Sequence, residues 1–246
     1  GVAQVTQQKD VSDPLDPLSL IASICRHAIL SSGVDELQNI ITTIYMTTIS
    51  SWNYENAPEY LSKFLGLKST ENYIAPISGD TPQYLVNKAA KTISLGKAKT
   101  IIIAGGEASY SKYRADRGKI TLNWPNLPKN VENIAQKAVI HYLSKFEESY
   151  QLANPIYIYS LIETALRSAS GRSLKDHLDY IGNLYERFSN IASKNPYAWE
   201  KNQFSSEDII TPSSDNRIIC HPYTKRLVAN LYVDQAAALV ITTEDI

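Results

Sequence analysis

Short β-branched runs alternate with longer amphipathic stretches along most of the chain. Five runs predict strands, at residues 1–6, 40–48, 72–78, 100–104 and 230–242. Between the first four runs, apolar residues recur every three or four positions, which is typical of helices that bury one face. Strands that alternate with helices favour an α/β fold with a largely parallel sheet.

The segment 72–108 contains the sharpest boundary signals. A helix is predicted to begin near Pro82, because proline in the first helical turn sacrifices no hydrogen bond, and Asp80 or Thr81 is expected to cap it. A helix N-terminus that follows a strand is where α/β proteins bind ligands. This segment is therefore predicted to hold the functional site.

The strand that follows this helix is β-branched over residues 100–104 and predicted to be buried on both faces. It is expected to stop at Gly105-Gly106, where the backbone can approach another group closely.

The middle of the chain has a different pattern. A polar, basic stretch precedes three predicted helices, at about residues 131–150, 155–171 and 173–194, and residues 203–214 are predicted to form a polar loop. We interpret the middle as a mostly helical insertion. The predicted organisation is an α/β core over residues 1–109, the insertion over 110–213 and a return strand over 214–246.

Charge, hydrophobicity and cysteine content argue against several classes of function. The 246 residues carry 24 basic and 25 acidic side chains, so the net charge of −1 gives no electrostatic argument for nucleic acid or an anionic membrane. No apolar run approaches the roughly 20 residues that span a bilayer. The two cysteines make no disulfide framework, and Cys25 falls on the apolar face of a predicted helix. We expect a cytoplasmic protein.

Four sequence segments resemble the thiolase superfamily. TPQYLVNKAAKTISLG followed by TIIIAGGEAS is similar to the helix and strand that form its nucleophile region, in particular in the thiolase-like branch related to sterol-carrier-protein thiolases. PYTKRLVANLYVDQAAALVITT resembles the return segment of that family, and NPYAW resembles the thiolase-like branch. The resemblance covers essentially the whole chain.

The resemblance implies a fold and a missing part. The fold is a five-stranded mixed sheet with helices on both faces and an α-helical insertion, the loop domain. Thiolases also have a second core half, which contributes a catalytic histidine and a second cysteine. This sequence corresponds to the N-terminal half with its loop domain, and the C-terminal thiolase half is absent from it.

The resemblance also implies a reaction mechanism, and this sequence lacks the cysteine on which that mechanism depends. Thiolases transfer acyl groups between coenzyme A thioesters through a cysteine thiolate at a helix N-terminus. Alignment places that cysteine at about Gly79, and no cysteine occurs in the window 78–80. Ser78, Asp80 and Thr81 occupy the nucleophile region, but no base that would activate a hydroxyl is evident. For Asp80 we favour helix capping over a role as a base.

Substrate-binding candidates follow from the same resemblance. Gly79 lies at the nucleophile position, whereas Gly105 and Gly106 permit either ligand contact or tight packing, of which we favour packing. The basic residues Lys112, Arg114 and Arg117 are candidates for the phosphates of coenzyme A, although a solvated charged face is at least as consistent with them.

No metal site and no tightly bound cofactor are expected. Metal binding needs three or four ligands at defined spacing, and the histidines are scattered. Cys220 and His221 are adjacent, but neighbours on a strand point to opposite sides, so we interpret them as structural.

The sequence is consistent with two functional hypotheses. The first is a thiolase-like acyl-CoA acyltransferase of the acetyl-CoA acetyltransferase type that lacks the usual nucleophile. The second is a non-catalytic acyl-CoA-binding or assembly subunit. The expected ligand is an acyl-CoA thioester, and the expected protein partner is a second copy or a chain that supplies the missing thiolase half.

Overall fold

The computed structural model describes residues 1–34, 36–67, 71–125, 144–152 and 154–246. The chain divides into two compact units. The first comprises Gly1–Val139 and Tyr232–Ile246, and the second comprises Ile140–Leu231.

The first unit is built on a five-stranded mixed sheet with strand order β1-β7-β4-β2-β3. Its strands are β1 (Val2–Thr6), β2 (Thr43–Thr47), β3 (Glu71–Ala75), β4 (Thr100–Ala108) and β7 (Asp234–Thr242). Strand β2 runs parallel to β3 and β4, whereas β7 is antiparallel to β1 and β4. The predicted five-stranded mixed sheet is confirmed.

Helices pack on both faces of this sheet, as predicted. Those in the described part of this unit are α1 (Pro17–Leu30), α2 (Ala57–Leu65), α3 (Thr81–Ser94) and α4 (Ser109–Asp116). Successive residues of a strand point to opposite faces. Ile102 therefore joins the core under α1 and α2, while Ile101 and Ile103 join the core under α3.

Strand β4 is longer than predicted. It continues through Gly105-Gly106 to Ala108, because β7 pairs with it along its whole length. A β-carbon on Gly106 would lie 2.8 Å from Ala236 Cβ and 2.9 Å from Ile21 Cγ1. Glycine at this position lets α1 approach the sheet, so Gly106 has a packing role within a strand rather than ending one.

The second unit is mostly helical in its described part. Its helices are α5 (Lys145–Ser149), α6 (Pro155–Ala169), α7 (Leu174–Lys194) and α8 (Ser206–Ile210), and β5 (Ile218–Cys220) pairs with β6 (Tyr223–Thr224). The helices predicted from residues 155 and 173 are confirmed, and Ser173 Oγ accepts the Asp176 N–H at 3.2 Å, as a cap should.

For the second unit, one further prediction is wrong, and another falls largely outside the described residues. The polar loop predicted over residues 203–214 is wrong, because Ser205 and Asp208 form a capping box that starts α8. The helix predicted at about residues 131–150 falls largely on residues 126–143, which lie outside the described residues; α5 occupies its last part. Within the described ranges, no helix is both long and apolar enough to span a membrane.

Candidate functional site

A groove of about 460 Å³ runs along the α3 face of the sheet, beside the first turns of α3. Strands β2, β3 and β4 run in the same direction, so the loop from β3 to α3 leaves the sheet at their carboxyl ends. Nine residues from these elements and from β7 line the groove: Thr47, Pro82, Gln83, Val86, Ile103, Ala104, Gly105, Ala237 and Leu239.

The lining of the groove is mostly apolar. Val86, Ile103 and Leu239 contribute aliphatic side chains, and the polar lining side chains are those of Thr47 and Gln83. Among the described lining residues there is no carboxylate, no cation and no thiol. The groove therefore suits an uncharged apolar group.

Gly105 is required for the shape of the groove. A β-carbon at this position would lie 2.3 Å from Thr47 Oγ1, well inside van der Waals contact. The glycine thus lets the Thr47 side chain lie against β4. Of the two adjacent glycines predicted to bind substrate, Gly105 lines the groove and Gly106 packs against α1 on the opposite face of the sheet.

The hydroxyl groups in the nucleophile region are already hydrogen-bonded. Ser78 Oγ donates to Asp80 Oδ1 at 2.5 Å, and the buried Thr81 donates its hydroxyl to the carbonyl oxygen of Pro76 at 2.7 Å. The prediction that Asp80 or Thr81 caps α3 is wrong: Asp80 occupies the N-cap position, but no side chain makes a cap hydrogen bond there. In the described part of the chain, no histidine hydrogen-bonds to Ser78 or Thr81.

Gly79 stands in open space at the position where the resemblance places the thiolase cysteine. A β-carbon built on it meets no other atom within 4 Å, and its φ is not in the left-handed region. A side chain at residue 79 would therefore fit without displacing a neighbour.

Neither cysteine of the chain reaches the groove. Cys25 is fully buried in the core under α1, on the other face of the sheet, and burial raises the pKa of its thiol to about 12. Cys220 ends β5 in the second unit. No cluster of three or more metal-ligating side chains occurs in the described residues.

The predicted phosphate ligands contact other parts of the first unit, and none of them lines the groove. Lys112 Nζ pairs with Asp116 Oδ1 at 2.5 Å. Arg114 Nη1 donates to the carbonyl oxygens of Lys9 and Val11, at 2.7 and 2.9 Å.

The third basic residue contacts an aromatic ring. The Arg117 guanidinium lies 4.7 Å from the centroid of Tyr113. Arg114 and Arg117 thus have structural contacts that a phosphate would have to compete with, and binding of coenzyme A phosphates by this stretch remains a prediction.

Two acidic residues that sequence reasoning missed position backbone near the groove. Asp234 is fully buried and accepts the N–H groups of Tyr110 and Ser111, at 2.9 and 3.1 Å, which starts α4. Glu107 accepts the N–H groups of Ser50 and Ser51, at 2.6 and 2.8 Å, and so fixes the loop after β2. Both pairs join residues remote in sequence, so no local motif signals them.

Comparison with known proteins gives the fold its name. No protein-family model and no curated protein matches the sequence. Among solved structures, the chain is similar to a monomeric SCP2-thiolase-like protein type 1 from Mycobacterium smegmatis, with 24% identity and a TM-score of 0.72, over 99% of this chain and 45% of that one. It is also similar to the Ltp2-ChsH2(DUF35) aldolase, with 14% identity and a TM-score of 0.69, over 100% of this chain and 55% of that one.

The chain is thus an α/β protein that has a mixed sheet and an apolar groove at a helix N-terminus. More narrowly, the chain has a thiolase-like fold and corresponds to its N-terminal half, as the resemblance implied. The chain spans about half the length of the solved structures it matches.

Proposed function

We propose that this chain forms the acyl-group site of a thiolase-like acyl-CoA-handling protein, and that it binds acyl-CoA there without forming a covalent acyl-enzyme. The observation that carries the proposal is the apolar groove beside the N-terminus of α3, in which no thiol is present. Such a protein has the fold of a thiolase-like acyltransferase, but it binds acyl-CoA without catalysis, as in the second hypothesis.

The groove has the size and polarity that an acyl group requires. Its volume of about 460 Å³ is in the range of small-molecule sites. Pro82 and Gln83, in the first turn of α3, line it, so the partial positive charge of the helix N-terminus faces a thioester carbonyl bound in this groove.

The groups near the helix N-terminus argue against an acyl-enzyme. Acyl transfer through a hydroxyl needs a base that removes its proton, commonly a histidine held by a third group. Ser78 donates instead to the exposed carboxylate of Asp80. The hydroxyl of Thr81 is buried and bonded to a carbonyl oxygen.

The open face of the sheet supports a partner that completes the site. Ala237 is exposed, and Leu239 and Ile241 are half-buried on the α3 side of β7. The solved relatives are about twice as long as this chain, and one of them is an aldolase with a DUF35 component. We propose that the rest of a thiolase-like assembly, from the same polypeptide, a second copy or another protein, covers this face and supplies the reacting groups. The two free cysteines favour assembly in the cytoplasm.

A groove-filling variant tests acyl binding. Ala237→Leu places a larger side chain in the groove and is expected to weaken butyryl-CoA binding about tenfold, since overpacking costs about 1–3 kcal/mol. Ala90→Leu is the control, because Ala90 is an exposed residue of α3 outside the groove. Isothermal titration calorimetry measures both. Equal weakening by the two variants, or no binding by the wild type, would contradict an acyl site in this groove.

A further inference from the structure

The second unit contains a cavity that the proposed function does not use. Its volume is about 620 Å³, and α6, α7 and the segment after β6 form its walls. Three tyrosines, Tyr159, Tyr185 and Tyr223, line it together with aliphatic side chains such as Leu227 and Leu231. Aromatic walls of this size suit a small organic molecule.

A buried hydrogen-bond chain ends at the wall of this cavity. The Tyr223 hydroxyl donates to Glu163 Oε2 at 2.7 Å, and Glu163 Oε1 lies 2.8 Å from Nε2 of His177. The His177 side chain is 2% exposed, so the chain runs from the interior of the unit to the cavity. The two contacts fix the carboxylate of Glu163 directly behind Tyr223.

Two tyrosine hydroxyls are neutral and available to a ligand. Burial, followed by the Glu163 carboxylate, raises the pKa of both Tyr223 and Tyr185 above the ordinary value. Tyr223 directs its proton to Glu163 at 2.7 Å, with the carbonyl oxygen of Tyr159 at 3.4 Å, and its own oxygen can still accept a hydrogen bond. Within the described residues, the hydroxyl of Tyr185 makes no hydrogen bond, so it can accept one as well.

None of the described residues that line the cavity carries a charge. No lysine or arginine is among the described residues that line it. Arg226, which is nearby in sequence, donates to the carbonyl oxygen of Asp208 and stacks on Phe204, 4.1 Å from its centroid. With the carboxylate of Glu163 behind one wall and aromatic rings on the others, a cation is favoured.

We propose that this cavity binds an organic cation, an ammonium group carried on an apolar or aromatic body. The body packs against the tyrosines and aliphatic side chains, and the ammonium donates to the hydroxyl oxygens of Tyr185 and Tyr223, close to the Glu163 carboxylate. This site is separate from the groove beside α3, and it does not depend on acyl-CoA binding there.

Three probes of one shape and different charge test the proposal on the full chain. Phenethylammonium, 2-phenylethanol and phenylacetate are titrated while tyrosine resonances are followed by NMR. The ammonium is expected to bind tightest and phenylacetate weakest. Glu163→Gln keeps the side-chain shape but removes the charge, so it is expected to abolish the preference for the ammonium over the alcohol.

Two further variants locate the site. Tyr185→Phe is expected to weaken phenethylammonium about fivefold through the lost hydrogen bond. Tyr197→Phe, at a tyrosine outside the cavity, is expected to change nothing. If Glu163→Gln does not fold, Tyr223→Phe replaces it, because it removes the other accepting hydroxyl and is likewise expected to weaken phenethylammonium about fivefold. Phenylacetate binding as tightly as the ammonium, no binding by any probe, or equal effects of Tyr185→Phe and Tyr197→Phe would overturn the proposal.

Discussion

Among the described residues of the first unit, Asp16 and Asp80 occupy helix N-cap positions, and of these two Asp16 caps its helix. Asp16 accepts the N–H groups of Leu18 and Ser19, at 3.0 and 3.2 Å, and also the hydroxyl of Tyr54. Asp80 makes no cap hydrogen bond before α3. The N-terminus of α3 is thus left without a side-chain acceptor at the point where the groove begins.

The two aspartates make a matched pair for mutation. Asp16→Ala is expected to lower the free energy of unfolding by about 2–3 kcal/mol, because it removes a cap and leaves the Tyr54 hydroxyl without its acceptor. Asp80→Ala is expected to change it by less than about 0.5 kcal/mol. Urea denaturation measures both, and similar losses would show that Asp80 caps α3 after all.

The Tyr54 hydroxyl makes stability sensitive to alkaline pH. Burial, followed by the hydrogen bond to Asp16, raises its pKa above the ordinary value of about 10. A group whose pKa is higher in the folded state stabilises fully below the unfolded pKa and loses that contribution as pH rises through the folded pKa. Stability should therefore begin to fall above about pH 10.

The variant Tyr54→Phe has no hydroxyl at this position, so it loses the part of the alkaline pH dependence of stability that comes from Tyr54. We expect the urea midpoint to fall less between about pH 8 and pH 10.5 in Tyr54→Phe than in the wild type. Tyr60→Phe is the control, since the Tyr60 ring is half exposed, at 52%. An unchanged alkaline slope in Tyr54→Phe would contradict the assigned pKa shift.

At the scale of elements, the packing of α1 on the sheet depends on glycine in β4. A methyl group on Gly106 would meet Ala236, Gln235 and Ile21 at 2.8–2.9 Å. Gly106→Ala is therefore expected to cost about 1–3 kcal/mol of unfolding free energy. Gly79→Ala, in open space, is expected to be neutral or to stabilise by up to about 1 kcal/mol. Thermal denaturation of the two variants distinguishes them, and tolerance of Gly106→Ala would contradict the close approach.

Elements with their own local signals could be predicted from the sequence. The α1 helix follows Asp16-Pro17, and α7 follows Ser173 with Asp176 three residues later; α7 begins within one residue of its predicted start. The end of β4 could not be predicted, because its partner strand lies more than 100 positions away, as the pairing of Gly105 with Ala237 shows.

The start of α4 escaped prediction for the same reason. Its first N–H groups bond to Asp234, which is 124 positions from Tyr110. The candidate site was predicted in part. The position of α3 after a parallel strand follows from the local pattern, whereas the groove needs Thr47 and β7, which only the sheet brings together.

At the scale of the whole molecule, the sheet has an apolar strip on the α3 side of β7, and the chain spans about half the length of the solved structures that share its fold. The fold is shared with those proteins at 24% identity or less, so it is the arrangement of strands and helices that the comparison establishes. The resemblance predicts the nucleophile position at Gly79, which lies in open space, and the lining of the groove includes Pro82, three residues further on. The proposed function is thus that of a thiolase-like binding site without a thiol.

Intact-protein mass spectrometry after incubation with acetyl-CoA tests this claim most directly, with calorimetry on the same sample. The wild type is expected to bind acetyl-CoA and to keep its mass. Gly79→Cys is expected to gain one acetyl group, because the N-terminus of α3 lowers the pKa of a thiol placed there, and Gly79→Ser is expected to gain none. An acetyl adduct on the wild-type chain, or no binding by it, would contradict the claim.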